Sequence, residues 1–315
     1  QFRRQRQMCI RDSNSLKMKQ LSYLSSAQLS NWLMEASQEA KKGKLADYIP
    51  LLQRTDSSLL FICVVTKNNI FLTQGDSKIT FSLMSIIKPF LLLYLLSELG
   101  DNFIFTKVGS EHSNYPFNSL DQLQLDQGFP RNPMINSGAL TLASLLPGKD
   151  SHTRLNNLQE WLNKQSNANL FLDKLMLKSV ESLPNLRNQS IIDNLAQRKH
   201  LKEPEITLDT YNKICCLSAT IIDLAKLGLL LVNSPNISSK NVSIVTEIMT
   251  TCGLYEASEN FAKKIGFPSK SGVSGAILSI VPKEGAIACY SPPLDAQGNS
   301  LGGLYMLQKI ANYLN

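Results

Sequence analysis

The chain has 315 residues, of which 43% are apolar and 18% charged, a composition typical of a globular protein with one large or two medium-sized hydrophobic cores. Its net charge is +7, but residues 1–19 hold six basic residues and one acidic residue, so +5 lies there and +2 in the rest. This distribution argues against a nucleic-acid-binding surface. No apolar run reaches the roughly 18 residues of a membrane-spanning helix, so no span is predicted.

Residues 1–19 are predicted to be a basic leader that is non-native or disordered, with Met18 as a plausible native start. The leader lacks the apolar centre of a secretory signal, while an Arg-rich transit peptide stays open. Six cysteines are scattered without C-x-x-C spacing, which indicates reduced thiols in a cytoplasmic protein. The three histidines are equally dispersed, so neither a metal site nor a cofactor is expected.

The sequence pattern of residues 21–96 predicts one helix, then strands, and then a buried helix. Apolar residues recur at helical spacing over residues 21–44, and a turn with Tyr48 follows. Residues 59–66, 70–73 and 79–81 are predicted to form an antiparallel meander. The apolar segment from Ile86 to Leu96 then predicts a buried helix.

The middle of the chain predicts helices joined by polar loops. The predicted helices cover residues 101–107, 154–165, 167–182, 188–199, 208–216, 220–231 and 238–250. A further helix starts near Asn136, where the structural interpretation of that side chain is a helix cap.

The last part predicts a short helix at 258–265, a loop containing Lys270-Ser271-Gly272, strands at 276–281 and 286–290, and a helix at 301–314. Strands near both ends, with helices between them, predict a sheet built from both halves of the chain. The expected fold class is therefore α+β, with a sheet domain from residues 20–98 plus 255–315 and an inserted all-helical domain from residues 99–254.

Ser85 and Lys88 lie at the start of the buried helix and are three residues apart, so they share one helical face. A serine hydroxyl is a poor nucleophile until a neighbouring group takes its proton. A lysine can take it only if its surroundings favour the neutral amine, and burial among Ile and Leu does so. The alternative is a buried helix whose lysine reaches the surface. A tyrosine in a turn, Tyr255, and the K-S-G segment complete a set of parts used by serine β-lactamases and penicillin-binding proteins.

The chain resembles the serine-dependent glutaminases more closely, which share that β-lactamase-like fold. The resemblance runs from about residue 43 to the end through motifs in family order: ADYIP (46–50), SIIKP (85–89), PFNS (116–119), RNPMINSGA (131–139), LDTYNKICC (208–216), TTCGLYEASENFA (250–262), GFPSKSGVSG (266–275) and SPPLDAQGNS (291–300). It implies a cofactor-free enzyme that hydrolyses L-glutamine to L-glutamate and ammonia, in a homodimer or homotetramer.

The resemblance also implies roles for individual residues. Ser85 matches the nucleophile, Lys88 its base, and Tyr255 a hydroxyl that holds Ser85 or relays its proton. Residues that match substrate-contacting positions are Tyr48, Asn136, Glu181, Asn188, Tyr211 and, through its backbone, Val273. Glu181 and Asn188 are expected to recognise the amino-acid end of glutamine, and the backbone N–H groups of Ser85 and Val273 the oxyanion.

Two departures from the family pattern keep other functions open. Met84 stands where the family usually has Gln, and Asn185 and Leu186 stand where it has Gly and Asp. Loss of a buried polar partner at Met84 predicts weaker glutamine binding or another amide substrate. The alternatives are an acyl-serine hydrolase of other small amides or β-lactams, and a non-catalytic amino-acid-binding homologue. Intact Ser85 and Lys88 argue against the second of these.

Overall fold

The computed structural model describes residues 19–232 and 234–315, and a five-stranded antiparallel sheet organises it. The strands of the described residues are β1 (Phe61–Thr66), β2 (Phe71–Gln74), β3 (Thr80–Ser82), β4 (Phe171–Leu172), β5 (Leu217–Thr220), β6 (Ser269–Ser271), β7 (Ala276–Val281) and β8 (Gly285–Tyr290). The large sheet has the order β2-β1-β8-β7-β6, and a small sheet has the order β3-β5-β4. The predicted basic leader falls on residues 1–18, outside the described residues, apart from Lys19.

The pairing of β1 with β8, in which Phe61 lies opposite Tyr290, joins the two ends of the chain in one sheet, as the sequence predicted. The predicted three-stranded meander is wrong in its third member, because β3 leaves the large sheet and pairs with β5. The K-S-G segment, predicted as a loop, is the edge strand β6. The partner of β3 is distant in sequence, whereas β6 pairs with the next strand, β7, and was missed because its residues are polar.

The described helices are α1 (Ser26–Ala40), α2 (Pro50–Gln53), α3 (Ile87–Leu99), α4 (Asp101–Ile104), α5 (Leu120–Leu125), α6 (Asn136–Ala143), α7 (Ser151–Ser166), α8 (Lys174–Glu181), α9 (Leu186–Gln197), α10 (Pro204–Cys215), α11 (Ile221–Leu229), α12 (Ser239–Cys252), α13 (Ser258–Lys264) and α14 (Leu301–Leu314). The helix predicted at 167–182 is in fact β4 followed by the shorter α8. None of the helices in the described part combines the length and the apolar composition needed to cross a bilayer.

The two faces of the large sheet bury different cores, because side chains of a strand alternate between faces. Ile62 and Val64 pack in the cluster that includes α1 and α14. Cys63 and Val65 pack in the larger cluster that includes α3. Helix α11 covers this second face so closely that a Cβ on Gly228 would lie 2.6 Å from Ala286 Cβ. The division into a sheet domain and an inserted helical domain stays a prediction, and α11 of the predicted insertion packs on the sheet.

Helix α3 passes through the middle of the larger core and begins the functional region. Its residues from Ile87 to Leu96 are all buried. A stack of three aromatic rings anchors the strand before it: Phe81 of β3 lies 4.4 Å from Tyr290, which lies 4.9 Å from Phe61. This stack joins the two sheets and fixes the chain four residues before Ser85.

Candidate active site

Ser85 stands on a sharp turn between a strand and a helix. It is the middle residue of a short 3₁₀ helix, Met84–Ile86, that runs directly into α3, so Ser85 and Lys88 are one helical turn apart. Met84 has a φ of 47°, in the left-handed region that a side chain rarely adopts. Such strain costs about 1–3 kcal/mol and persists only where the surroundings impose it, as at functional sites.

Lys88 is fully buried at the start of α3. Its Nζ donates to the carbonyl oxygen of Met134 (3.1 Å) and to Oδ1 of Asn136 (2.8 Å). Burial lowers the pKa of Lys88 to about 8, because an ammonium without a carboxylate partner is poorly solvated in the core. A substantial fraction of this amine is therefore neutral near pH 8, as a general base requires.

Asn136 connects Lys88 to the wall of a cavity. Its Oδ1 also accepts from the Tyr211 hydroxyl (3.2 Å), and its Nδ2 donates to Asn188 Oδ1 (2.8 Å). The helix-cap interpretation of Asn136 is wrong, since Ile135 occupies the cap position and Asn136 is the first residue of α6. Its side chain instead makes hydrogen bonds with Lys88, Tyr211 and Asn188.

Two other asparagines hold this arrangement in place. Asn132 Oδ1 accepts from the backbone N–H groups of Met134 and Ile135, which fixes the carbonyl that contacts Lys88. Asn185 caps α9 by accepting from the backbone N–H of Asn188 (3.0 Å). The departure from the family at Asn185 therefore supplies the cap that presents Asn188.

Tyr255 lies on the other side of Ser85, in a second left-handed turn with a φ of 57°. Its hydroxyl donates to the backbone carbonyl of Ser271 (3.4 Å) and lies close to Ser85, and burial raises the pKa of Tyr255 to about 12. Lys270 of β6 lies over the Tyr255 ring, with Nζ 4.3 Å from the ring centroid. Lys270 Nζ donates to the carbonyls of Gly253 (3.0 Å) and Ser271 (2.8 Å), and burial lowers its pKa well below the ordinary value.

These groups meet at a cavity of about 690 Å³, a size typical of small-molecule sites. Its lining includes Tyr48, Met84, Ser85, Phe117, Asn118, Asn136, Arg187, Asn188, Tyr211, Asn212, Cys215 and Val273. Arg187 is the charged side chain of that lining, and it donates to Asn118 (3.2 Å). A second cavity, of about 440 Å³ beside the β1–β2 turn, contains none of the residues singled out for chemistry.

The sequence-predicted residues do not all reach the cavity. Asn188, Tyr211 and Val273 are buried in its wall, and Tyr48 is half-exposed in its lining. Glu181 does not join them: it is the exposed last residue of α8 and lies outside the lining. The chain turns after Glu181, so that Leu183 and Pro184 face the cavity in its place.

Sequence reasoning gave no role to several groups that the structure brings to the site. Phe117, in the PFNS motif, packs against the Tyr255 ring with 4.7 Å between centroids. Cys215 lines the cavity one helical turn after Tyr211 on α10, and the pair of cysteines at its end was the only sequence signal. Within residues 19–232 and 234–315, no group of three or more His, Cys, Asp or Glu side chains is placed to hold a metal ion.

Comparison with known proteins decides the family. The glutaminase family model matches residues 43–315. The chain is 41% identical over 303 residues to a glutaminase of Synechocystis sp., covering 95% of this chain and 93% of that protein. The chain belongs to the glutaminase family.

Two solved glutaminase structures have the same fold. The probable glutaminase ybaS superposes with a TM-score of 0.85 at 30% identity, covering 92% of this chain and 98% of that one. The Bacillus subtilis glutaminase YbgJ superposes with a TM-score of 0.83 at 29% identity, with 92% and 98% coverage. That structure is a covalent complex with 5-oxo-L-norleucine. The fold is thus the β-lactamase-like α+β fold of serine-dependent glutaminases, as the motifs predicted.

Met84 is the departure from the glutaminase pattern with the clearest expected effect. It is 4% exposed, lines the cavity and precedes Ser85. Replacing it by Gln restores a hydrogen-bonding group of similar length. We expect Met84→Gln to raise kcat/KM for glutamine by roughly 10-fold, since a buried polar partner is worth about 1–3 kcal/mol. Steady-state kinetics measure this, and an unchanged kcat/KM would remove the explanation.

Proposed function

We propose that this chain hydrolyses the side-chain amide of L-glutamine to L-glutamate and ammonia through a glutamyl-serine intermediate. The observation that carries the proposal is a fully buried lysine with a lowered pKa, one helical turn from a serine in a cavity of suitable size. The bound 5-oxo-L-norleucine of the Bacillus subtilis relative supports a ligand of the same chain length.

In the first half of the reaction, Ser85 Oγ attacks the amide carbon while its proton passes to neutral Lys88. Tyr255 holds the serine hydroxyl during the attack. The negative charge on the former carbonyl oxygen is stabilised by the backbone N–H groups of Ser85 and Val273. These two segments approach closely, since a Cβ on Gly272 would lie only 2.8 Å from the carbonyl oxygen of Leu83.

In the second half, the C–N bond breaks, and ammonia leaves with the proton returned by Lys88. Water then attacks the ester carbon and gives its proton to Lys88, and glutamate is released as Ser85 regains a proton. All reacting atoms come from glutamine, water and protein side chains.

We propose that neutral groups recognise most of the amino-acid end of the substrate. Asn188, Tyr211 and the half-exposed Tyr48 offer oxygens to an ammonium and donors to a carboxylate. The exposed position of Glu181, outside the cavity lining, does not support its assignment as the ammonium partner. Arg187 at the cavity provides positive charge for the carboxylate.

An ammonia-release assay with glutamine tests the proposal. We expect Ser85→Ala to lower kcat/KM at least about 1000-fold, because removal of a nucleophile abolishes the covalent path. Ser82→Ala is the matched control, since Ser82 is also a buried serine but bonds to Ser218 of β5. Ser85-independent turnover would contradict the proposal. Glutamine binding without turnover in the wild type would favour a non-catalytic amino-acid-binding homologue. Turnover of the β-lactam nitrocefin would favour an acyl-serine hydrolase of other amides or β-lactams.

We further propose a cytoplasmic homodimer or homotetramer. The five cysteines of the described part, Cys63, Cys215, Cys216, Cys252 and Cys289, are free and buried, which is compatible with a reducing compartment. The oligomer is an expectation from the family, and light scattering after size-exclusion chromatography measures it.

A further inference from the structure

Asn299 has a fully buried side chain that lies outside the cavity lining. It lies in the loop after β8, where its backbone N–H donates to Asp295 Oδ1 (2.9 Å) and its carbonyl accepts from the Asp295 N–H (2.8 Å). The loop is therefore fixed from within. The side chain of Asn299 points to β6, where its Oδ1 accepts from Ser271 Oγ (2.6 Å).

Ser271 connects this contact to the catalytic groups. Its hydroxyl is fully buried and bonded to Asn299, so it is not presented to a ligand. Its carbonyl oxygen accepts from Lys270 Nζ (2.8 Å) and from the Tyr255 hydroxyl (3.4 Å). The Tyr255 hydroxyl in turn lies close to Ser85. A chain of contacts thus runs from Asn299 through Ser271 and Tyr255 to the proposed nucleophile.

These contacts fix where the Tyr255 hydroxyl lies. The Ser271 hydroxyl donates to Asn299 Oδ1, which ties β6 at Ser271 to the fixed loop. The backbone carbonyl of Ser271 accepts the Tyr255 proton (3.4 Å). Loss of the bond between Ser271 and Asn299 would therefore let Ser271 shift and move the Tyr255 hydroxyl relative to Ser85.

We propose that Asn299 and Ser271 are positioning residues that orient the Tyr255 hydroxyl, and through it Ser85, for attack. This inference rests on the proposed function, because it concerns the same serine. Neither residue touches the substrate, so their contribution belongs to the chemical step. Removal of either should lower kcat and leave KM nearly unchanged.

Three variants test the proposal with glutamine as substrate. Ser271→Ala and Asn299→Leu each remove the 2.6 Å hydrogen bond, and we expect each to lower kcat by about 10- to 100-fold, the range typical of a misplaced catalytic group. KM should stay within about threefold of the wild-type value. The double variant should be no slower than the slower single variant, because both remove one interaction.

Matched variants separate positioning from general damage to the strand. Ser271→Thr keeps the hydroxyl donor and should retain kcat, whereas Ser271→Val has the same shape without the donor and should lose it. Ser269→Ala removes other hydrogen bonds of β6, those of Ser269 to the Phe267 carbonyl (2.9 Å) and with Ser279 (2.5 Å), and should leave kcat unchanged. If Asn299→Leu does not fold, the Thr and Val pair decides the outcome.

Several results would overturn the inference: wild-type kcat in both single variants, equal kcat in the Thr and Val variants, or additive losses in the double variant. An effect on KM alone would also do so, since it would indicate a substrate contact. Absence of Ser85-dependent ammonia release in the wild type would instead contradict the proposed function. The two failures are therefore distinguishable.

Discussion

Lys88→Met is expected to lower kcat/KM for glutamine about 1000-fold or more, because it removes the proposed general base and keeps the side-chain volume. In the wild type, kcat/KM should rise with pH through about 8, since the pKa of Lys88 is lowered to about 8 by burial and only the neutral amine accepts a proton. The titratable neighbours of Lys88 include Cys215, Lys270 and Tyr211, whose ring centroid lies 6.0 Å from Lys88 Nζ. A pH–rate profile of both proteins measures the effect. A wild-type kcat/KM that stays constant between about pH 6 and pH 9 would contradict the prediction.

The same substitution has a stability signature whose sign follows from the pKa. Folding lowers the pKa of Lys88 from 10.5 to about 8, so the unfolded chain holds this proton more tightly and the native state gains stability as pH rises between those values. The gain is about 3 kcal/mol by pH 10.5. Lys88→Met lacks this gain. Urea unfolding at pH 7 and pH 10 should therefore show a free energy of unfolding that rises with pH more in the wild type than in the variant. An equal pH dependence in both proteins would indicate an ordinary pKa for Lys88.

Asn136→Asp is expected to lower kcat/KM at neutral pH by about 100-fold. The substitution places a carboxylate about 2.8 Å from Lys88 Nζ, the present distance of the amide oxygen. An anion so close raises the pKa of Lys88 and keeps the amine protonated at neutral pH. The new carboxylate also faces the Asn188 oxygen, to which Asn136 now donates. The rising limb of the pH–rate profile should therefore move to higher pH.

Asn212→Asp is the matched control for this change. Asn212 also lines the cavity, next to Tyr211 on α10, and is not among the hydrogen-bond partners of Lys88. Its carboxylate should change KM more than the pH profile. If both variants shift the profile equally, the effect is one of general charge in the cavity, and Asn136 has no specific control over Lys88.

Local sequence patterns predicted the bounds of individual strands and helices better than the pairing of the strands. β7 and α14 were predicted with their observed bounds, because an apolar run interrupted only by Ser279 and a strong helical period define them. The pairing partner of β3 was not predictable in this way, since β5 lies far along the chain. Strand β6 pairs with the next strand, β7, but its polar residues, Ser269 to Ser271, give no apolar pattern that would indicate a strand. The sheet shared by both ends was predictable from the order of the elements.

The candidate site likewise combines residues that local spacing predicts with contacts between residues distant in sequence. Ser85 and Lys88 were found because one helical turn sets their separation. The bonds of Asn136 to Lys88 and Asn188 span 48 and 52 residues, so no spacing rule indicates them, and a cap was the natural interpretation. Glu181 was assigned through the family motif, but the end of α8 leaves it exposed. The link from Ser271 to Asn299 likewise joins two separate motifs.

The most direct measurement is the identification of the residue that 6-diazo-5-oxo-L-norleucine labels, by mass spectrometry of peptides from the treated protein. The probe matches glutamine in length, and the wild type should carry the adduct on Ser85, with no adduct formed on Ser85→Ala. An adduct on Cys215, the other nucleophilic side chain of the cavity lining, or on no residue of the cavity, would contradict a serine–lysine mechanism.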